Sequence, residues 1–516
     1  MSTLDWTIAT GLLIALIVAA VYLGRLNKSV ADFILAGRKV RKYLGMSSGT
    51  AEGLGLASIA ASLQQGMQNG FALIWISIIL MCYTVPVFGL IGFGIKRFRA
   101  TLCMTIPQFL DQRYDPRLRL LVGVILALSG ILNMAIFPIT SSYFLVAFSG
   151  LPEVFTWGAW TFDTVHVCMI ALVVLAVLFT FLGGMVTVVV TDYIQATIVV
   201  SAMLFVGIMT LTELGPSLIH RTLTDEIGEA AFNPFLRGSY GLTWIVWVFL
   251  LTTVNKLAFA PAVQKMASAD SPETARKMEL LQSIFGMGMR IFLLLIGIGA
   301  LVSLGGVPAG ETAESYFRFA GAIHLRETLP VVLMGLVFAA FLFASLSTDD
   351  SYLLAWSAVI VNDIVQPLFK KPFSQKAHIR IMRGFIVLIG LFVIGFGLTY
   401  DPQESILDYM YMTGTLIGGI GIAVFMGLYW SKATTAGAVS GIITCAVIPL
   451  ADLFGKQIVG DRYPLTTQQS GLLALISAVV VLVVVSWLTG RGRVAPGWVD
   501  YGVEVKRLDA EEKGAR

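Results

Sequence analysis

The chain has 516 residues, of which 57% are hydrophobic and 13% charged, and its mean hydropathy is +0.84. Soluble domains carry about a quarter charged residues, so half that share over so long a chain places most of its surface in lipid and excludes a soluble enzyme. The net charge of +4 implies no nucleic acid, because in a membrane protein the placement of Lys and Arg matters more than their sum.

A helix needs about 20 apolar residues to cross a bilayer. Thirteen such segments are expected, at 6–24, 45–66, 71–96, 119–148, 164–183, 185–211, 241–263, 280–304, 329–365, 380–399, 405–430, 435–454 and 468–489. The first is expected to persist as a helix, since Met1–Asp5 contains no basic residue and no small-residue cleavage site follows.

The second segment reads GMSSGTAEGLGLASIAASLQQGMQNG, rich in Gly and polar side chains. Freed backbone groups are tolerated at membrane depth only where a helix is buried in protein or lines a cavity. A small-residue packing interface is the plainer alternative, but the amides Gln64, Gln65 and Gln68 favour a cavity. The seventh segment is also interrupted, because Asn255, Lys256 and Pro261 break the run from Trp244 to Val263. Two interrupted helices five segments apart are the pattern of an inverted five-helix repeat with a binding site at its midplane; the repeat is inferred from hydropathy alone.

The eighth segment holds Arg290, and the ninth presents Ala344, Ser347, Thr348 and Ser351 along one helical face. Hydroxyls on that face, joined by carbonyls from the unwound second segment, would make a small hard-oxygen cage for an alkali cation. Any one of these hydroxyls could instead bond back to its own helix. Asp350 sits beside the face and Asp349 points nearly opposite, and intramembrane acids call for a cation, a basic partner or protonation. In the eleventh segment Thr413, Gly414, Thr415, Gly418 and Gly419 suggest flexibility or close packing.

With the N-terminus outside, the cytoplasmic loops and tail receive 27 of the 35 Lys and Arg, Lys265 among them, and the outer loops six, including Arg237 and Arg462. The remaining two, Lys256 and Arg290, fall within apolar segments. This asymmetry predicts N-out, C-in topology. The four cysteines show no CxxC spacing and read as small buried hydrophobes, and the four histidines form no cluster.

Five stretches in order, FILAGR (33–38), TIPQFLDQRYD (105–115), GGMVTVVVTDYIQ (183–195), QKMASADSPETARK (264–277) and ASLSTDDSYLLAWSAVIVNDI (344–364), resemble the sodium:solute symporter family. The resemblance implies an all-α LeuT-type fold with inverted five-helix repeats: an extra helix at 6–24, a first repeat at about 45–211, a second at about 241–430, two further helices within 435–489, and a cytoplasmic tail at 491–516. It also implies a sodium site made by carbonyls of Ala57 and Ala60 with Ala344, Ser347 and Thr348. Asp192 matches an acid that some members use for a further sodium or a proton, completed by serines where this chain has Asp350 and Ser351. An acid at Asp350 departs from that pattern, and two carboxylates sharing one site cannot both stay charged cheaply. A second cation or a coupled proton is therefore expected there.

Sugar-carrying members place an aromatic residue near the position of Asn255 and Lys256, which weakens a sugar reading. Gln64, Gln68, Asn255 and Lys256 are the expected solute contacts, Lys256 reaching an anionic group or pairing internally with Asp349 or Glu52. Arg290 is expected to snorkel or pair with an acid, and Trp244 and Trp247 to wall the cavity or anchor at the interface. The expected function is alternating-access symport of a small polar organic solute with sodium by a functional monomer in the plasma membrane, the inner membrane in a bacterium. A sugar or polyol symporter is the alternative. A non-transporting sensor would call for a signalling domain that the 26-residue tail does not supply, and no His or Cys constellation suggests an enzyme.

Overall fold

Ser2 caps the first helix and Asp5 completes the capping box, so α1 (Thr3–Gly24) begins sharply. The computed structural model describes residues 1–25, 29–158, 160–236, 241–304, 313–400, 406–459, 464–494 and 497–514. Residue 405, where the eleventh span was expected to begin, and Lys28, Arg237, Arg462 and Arg516 of the charge allocation lie outside them.

After α1 come the short α2 (Val30–Leu35), then α3 (Lys42–Gly53) and α4 (Leu56–Asn69), which divide the expected second span at Leu54 and Gly55. The third span is α5 (Ala72–Thr84), a π-helical turn over Val85–Leu90, and α6 (Ile95–Ala100). Pro86 has no N–H for the preceding turn, and the ladder widens so that Ile91 donates to its carbonyl at 3.0 Å. Next come α7 (Ile106–Arg113), α8 (Pro116–Ser149) and a small exposed hairpin pairing Val154–Trp157 with Trp160–Asp163.

The expected spans at 164–183 and 185–211 are one element, α9 (Thr164–Leu214). Its 51 residues would extend about 77 Å, more than twice the hydrocarbon thickness, so it makes two crossings. The turn falls at Gly184, whose φ of 52° suits glycine and where a Cβ would lie 2.6 Å from the Phe33 ring.

The chain continues through α10 (Pro216–Glu226) to α11 (Leu242–Asn255) and α12 (Ala260–Ala267), bent by 45°. Pro261 opens the second of these helices, where its fixed φ is favourable, and the break lies just upstream. Then follow α13 (Pro272–Leu304), α14 (Ala313–Thr328), α15 (Leu333–Val359, continuing in irregular turns to Leu368), α16 (Gln375–Thr399), α17 (Ile406–Tyr429), α18 (Thr435–Val459), α19 (Thr467–Gly490) and α20 (Tyr501–Gly514). Among the described residues, nine helices are long and apolar enough to cross a membrane, or ten with the bent pair.

The most apolar stretch of α15 is 83% buried, against 17% for α1. The polar-faced helix is therefore central and α1 peripheral. Asp5 connects the two, its Oδ1 accepting hydrogen bonds from the amides of Val332 (2.8 Å) and Gly335 (3.1 Å) at the start of α15. The ending expected as a cytoplasmic tail carries α20, which packs against α6, where Lys96 bridges Asp509 (2.5 Å) and Glu273 (3.3 Å).

Between lipid-embedded helices close packing replaces the hydrophobic drive. A Cβ on Gly66 would lie 2.2 Å from the Leu294 carbonyl, and one on Gly297 would lie 2.2 Å from the Leu63 carbonyl, so α4 and α13 cross backbone to backbone. Gly297→Val is expected to destabilise the protein by about 1–3 kcal/mol, the usual cost of overpacking, seen as a lower melting temperature in detergent. An unchanged melting curve would mean the helices separate freely.

Candidate functional site

Both broken helices border one cavity of about 480 Å³. Gly49, Thr50, Glu52, Gly53 and Leu54 line it from α3 and the break, Ser58 and Ser62 from α4, and Leu251, Thr252, Asn255, Lys256 and Phe259 from α11 and its break. Ser129, Gly130 and Asn133 of α8, Arg290 of α13, Tyr352 and Trp356 of α15 and Thr413 of α17 close it. Asn133 Nδ2 donates to the Thr413 hydroxyl at 2.5 Å and Ser129 to the Thr413 carbonyl at 3.0 Å, tying α8 to α17 at the wall. Phe259 meets Tyr352 edge-on with centroids 5.3 Å apart, and Trp356 lies 6.3 Å from each, forming an aromatic corner.

Two cations border this space and differ in their neutralisation. Lys256 is salt-bridged to Glu279 of α13, which also accepts from Ser283 at 3.1 Å. Arg290 meets only an amide: its Nη2 lies 3.5 Å from Gln65 Oε1, and its Nε has no hydrogen-bond partner among the described residues.

A second, much smaller cavity of about 10 Å³, close to the volume one water molecule requires, lies where the start of α4 meets α8 and α15. Ala57, Ser58, Ser345, Thr348 and Asp349 are among its lining. The Thr348 hydroxyl donates to the carbonyl of Glu52 at 3.1 Å and approaches that of Ala344 at 3.3 Å. Gly55 permits the approach, since a Cβ there would lie 2.3 Å from Thr348 Oγ1. The carbonyls left free by the end of a helix are those of its last turn, and here that turn closes at Gly53 with Leu54 as its cap.

The family model for "Sodium:solute symporter family" matches residues 33–445. The chain belongs to the sodium:solute symporter family. It is 23% identical to a sodium/proline symporter of Staphylococcus aureus over 95% of this chain and 93% of that one. Its fold resembles a sodium-coupled sialic acid symporter in a substrate-bound outward-open state, with TM-score 0.79, 21% identity, and 94% of this chain and 98% of that one covered. A nucleobase-cation-symport-1 family transporter in a closed conformation is more distant, at TM-score 0.54 and 13% identity over 93% of this chain and 99% of that one. The fold is LeuT-type, and this symporter is an integral membrane protein that couples a small solute to sodium.

The symporter's expected site residues fall in three places. Ala57 and Thr348 share the small cavity, with Ala344 and Ser347 on the same α15 face, whereas Ala57 and Ala60 lie past the break within α4, where main-chain carbonyls serve the helix ladder. Asn255 and Lys256 border the large cavity, and Gln64 and Gln68 are not among its lining. The stripe of α4 that reaches it runs through Ser58 and Ser62, with Gln65 following on the same face, and Gln64 lies well round the helix.

Asp192, Asp350 and Ser351 are all buried, and Ser351 donates to Asp350 at 3.4 Å. Their surroundings contain a group not anticipated there. Lys265, assigned to a cytoplasmic loop, is only 4% exposed and contacts Asp192 at 3.1 Å and Glu52 at 3.0 Å. The short helix that resumes after the break carries Lys265 inward.

Other expectations are corrected. Lys256 pairs with Glu279, not with Asp349 or Glu52, and Arg290 faces an amide, not an acid. Trp244 and Trp247 are buried but are not among the cavity's lining, Trp247 lying against Gly471 of α19. The cysteines are free, Cys82 exposed and Cys103 and Cys445 buried. Burial pushes the loop thiol of Cys103 up to about 11, which keeps it unreactive.

Proposed function

We propose that this symporter carries a small carboxylate-bearing organic solute, with Arg290 receiving the carboxylate. The observation that carries the reading is the contrast between the two cavity cations, Lys256 already neutralised by Glu279 and Arg290 facing, among the described residues, only the amide of Gln65. A planar guanidinium suits bidentate capture of a carboxylate. Proline and sialic acid, named for the two similar symporters, each carry one. A cavity of about 480 Å³ lies in the lower half of the range for small-molecule sites. The Phe259, Tyr352 and Trp356 corner offers an apolar face for the rest of the solute. A sugar or polyol reading draws on the neutral amides Asn133 and Asn255 but leaves Arg290 unused.

Sodium, as the co-transported ion, is assigned to Ser347, Thr348 and the Ala344 carbonyl, with main-chain oxygens from the end of α3 in place of Ala57 and Ala60. Support comes from the reach of Thr348 to the Glu52 carbonyl across the break. Inward movement of one sodium through 100 mV contributes about 2.3 kcal/mol towards accumulation. The excess of basic residues in alternate loops supports an outside N-terminus and a cytoplasmic C-terminus, with Lys265 removed from the count.

Sodium-driven current in proteoliposomes tests the function, with pooled carboxylates, zwitterionic amino acids and neutral polyols applied in turn. Current with carboxylate-bearing pools is expected. Current with polyols alone would overturn the carboxylate assignment, and solute binding with neither current nor exchange would favour a sensor.

A further inference from the structure

Lys265 of α12 is gripped by two other helices. Its ammonium lies 3.0 Å from Glu52 Oε2 and 2.8 Å from the Ser48 carbonyl on α3, and 3.1 Å from Asp192 Oδ2 on α9. The Ser48 hydroxyl donates to the same Asp192 oxygen at 2.5 Å. From α15, Asp350 lies within electrostatic reach of both Asp192 and Lys265. The remaining charged groups close by are Asp349, approached by Ser345 at 3.4 Å, and the Lys256–Glu279 pair.

An ammonium has three protons to donate; here it donates to the Ser48 carbonyl and to Asp192, and pairs by charge with Glu52. Glu52, Asp192 and Asp350 call for positive charge or protonation at membrane depth, and here a tethered side chain supplies one such charge permanently. A sodium ion seated between Asp192 and Asp350 would compete with this ammonium for the Asp192 carboxylate it already holds. The amine is tethered to α12, so it also joins that half-helix to α3 and α9, as a dissociable ion cannot do permanently.

We propose that Lys265 is a built-in substitute for a second cation at the Asp192–Asp350 cluster, so that this symporter binds one sodium ion, at the Ser347 and Thr348 face. The inference rests on the sodium-symport reading and goes beyond it to stoichiometry. Removing the amine while keeping the acids should convert the cluster into a sodium site.

Equilibrium binding of radioactive sodium to the purified full-length protein tests this without knowledge of the solute. One ion per chain is expected in the unmodified protein and in Lys265→Arg, and two in Lys265→Ala, the second being lost again when Asp192→Asn is added. Asp192→Asn alone should leave the count at one, because its carboxylate serves the lysine. Two ions in the unmodified protein, or a lower count in Asp192→Asn alone, would overturn the proposal even if Lys265→Ala fails to fold. A folded Lys265→Ala that still binds one ion would also overturn it. No sodium bound to the unmodified protein would overturn the assignment of sodium itself, a separate failure.

Discussion

Arg290→Gln is expected to raise the half-saturation for carboxylate-bearing solutes by about 10- to 100-fold, while neutral analogues change little. A hydrogen bond to a charged group contributes roughly 1.5–3 kcal/mol, and each 1.4 kcal/mol is tenfold in affinity. Gln keeps a donor and much of the side chain's length, so the substitution chiefly removes the charge. The partner at Arg290 Nη2 is the neutral amide of Gln65, so no buried acid is stranded by the change. Lys256 behaves differently, because Lys256→Met leaves the Glu279 carboxylate without its cation and acts through protein stability as well as binding. Initial uptake rates over a solute series measured for both variants would separate the two cases. Equal losses for neutral and anionic solutes in Arg290→Gln would rule out the carboxylate contact.

Ser347→Ala and Thr348→Ala are each expected to raise the sodium half-saturation by about 10-fold or more, on the same 1.5–3 kcal/mol for an interaction with a charged group. Thr348→Ala should be the more damaging of the two. It also withdraws the donor that reaches the Glu52 carbonyl across the break between α3 and α4. Thr348→Ser keeps the hydroxyl and should retain most of the coupling. Sodium titration of solute uptake measures both effects, and an unchanged half-saturation in both alanine variants would place the ion elsewhere.

The architecture was legible where physics acts locally along the chain. Long apolar runs announced the spans, and Gly and polar residues within two of them announced the breaks, because backbone cannot unwind in hydrocarbon without partners. The polar stripe of α15 followed from helical spacing alone. What escaped was whatever depends on partners distant in sequence. Lys265 meets Ser48 and Asp192, 217 and 73 residues away, and no local pattern marks a lysine as facing inward. Register was the other loss: Gln64 and Gln65 are adjacent letters, yet one helical step of about 100° separates the amide near Arg290 from its neighbour. Ala57 and Ala60, expected to offer free carbonyls, lie within α4, and the helix end at the break is that of α3.

The two hydrogen bonds from Asp5 to the amides of Val332 and Gly335 join the helix most surrounded by lipid to the one least so. In mechanical terms α1 is an outrigger. A tilt imposed on it by a thicker or thinner bilayer bears directly on the first turn of α15, and that helix carries Ser347 and Thr348 further along its length. The lipid surroundings thereby gain a lever on the Ser347 and Thr348 face through a helix at the periphery of the bundle.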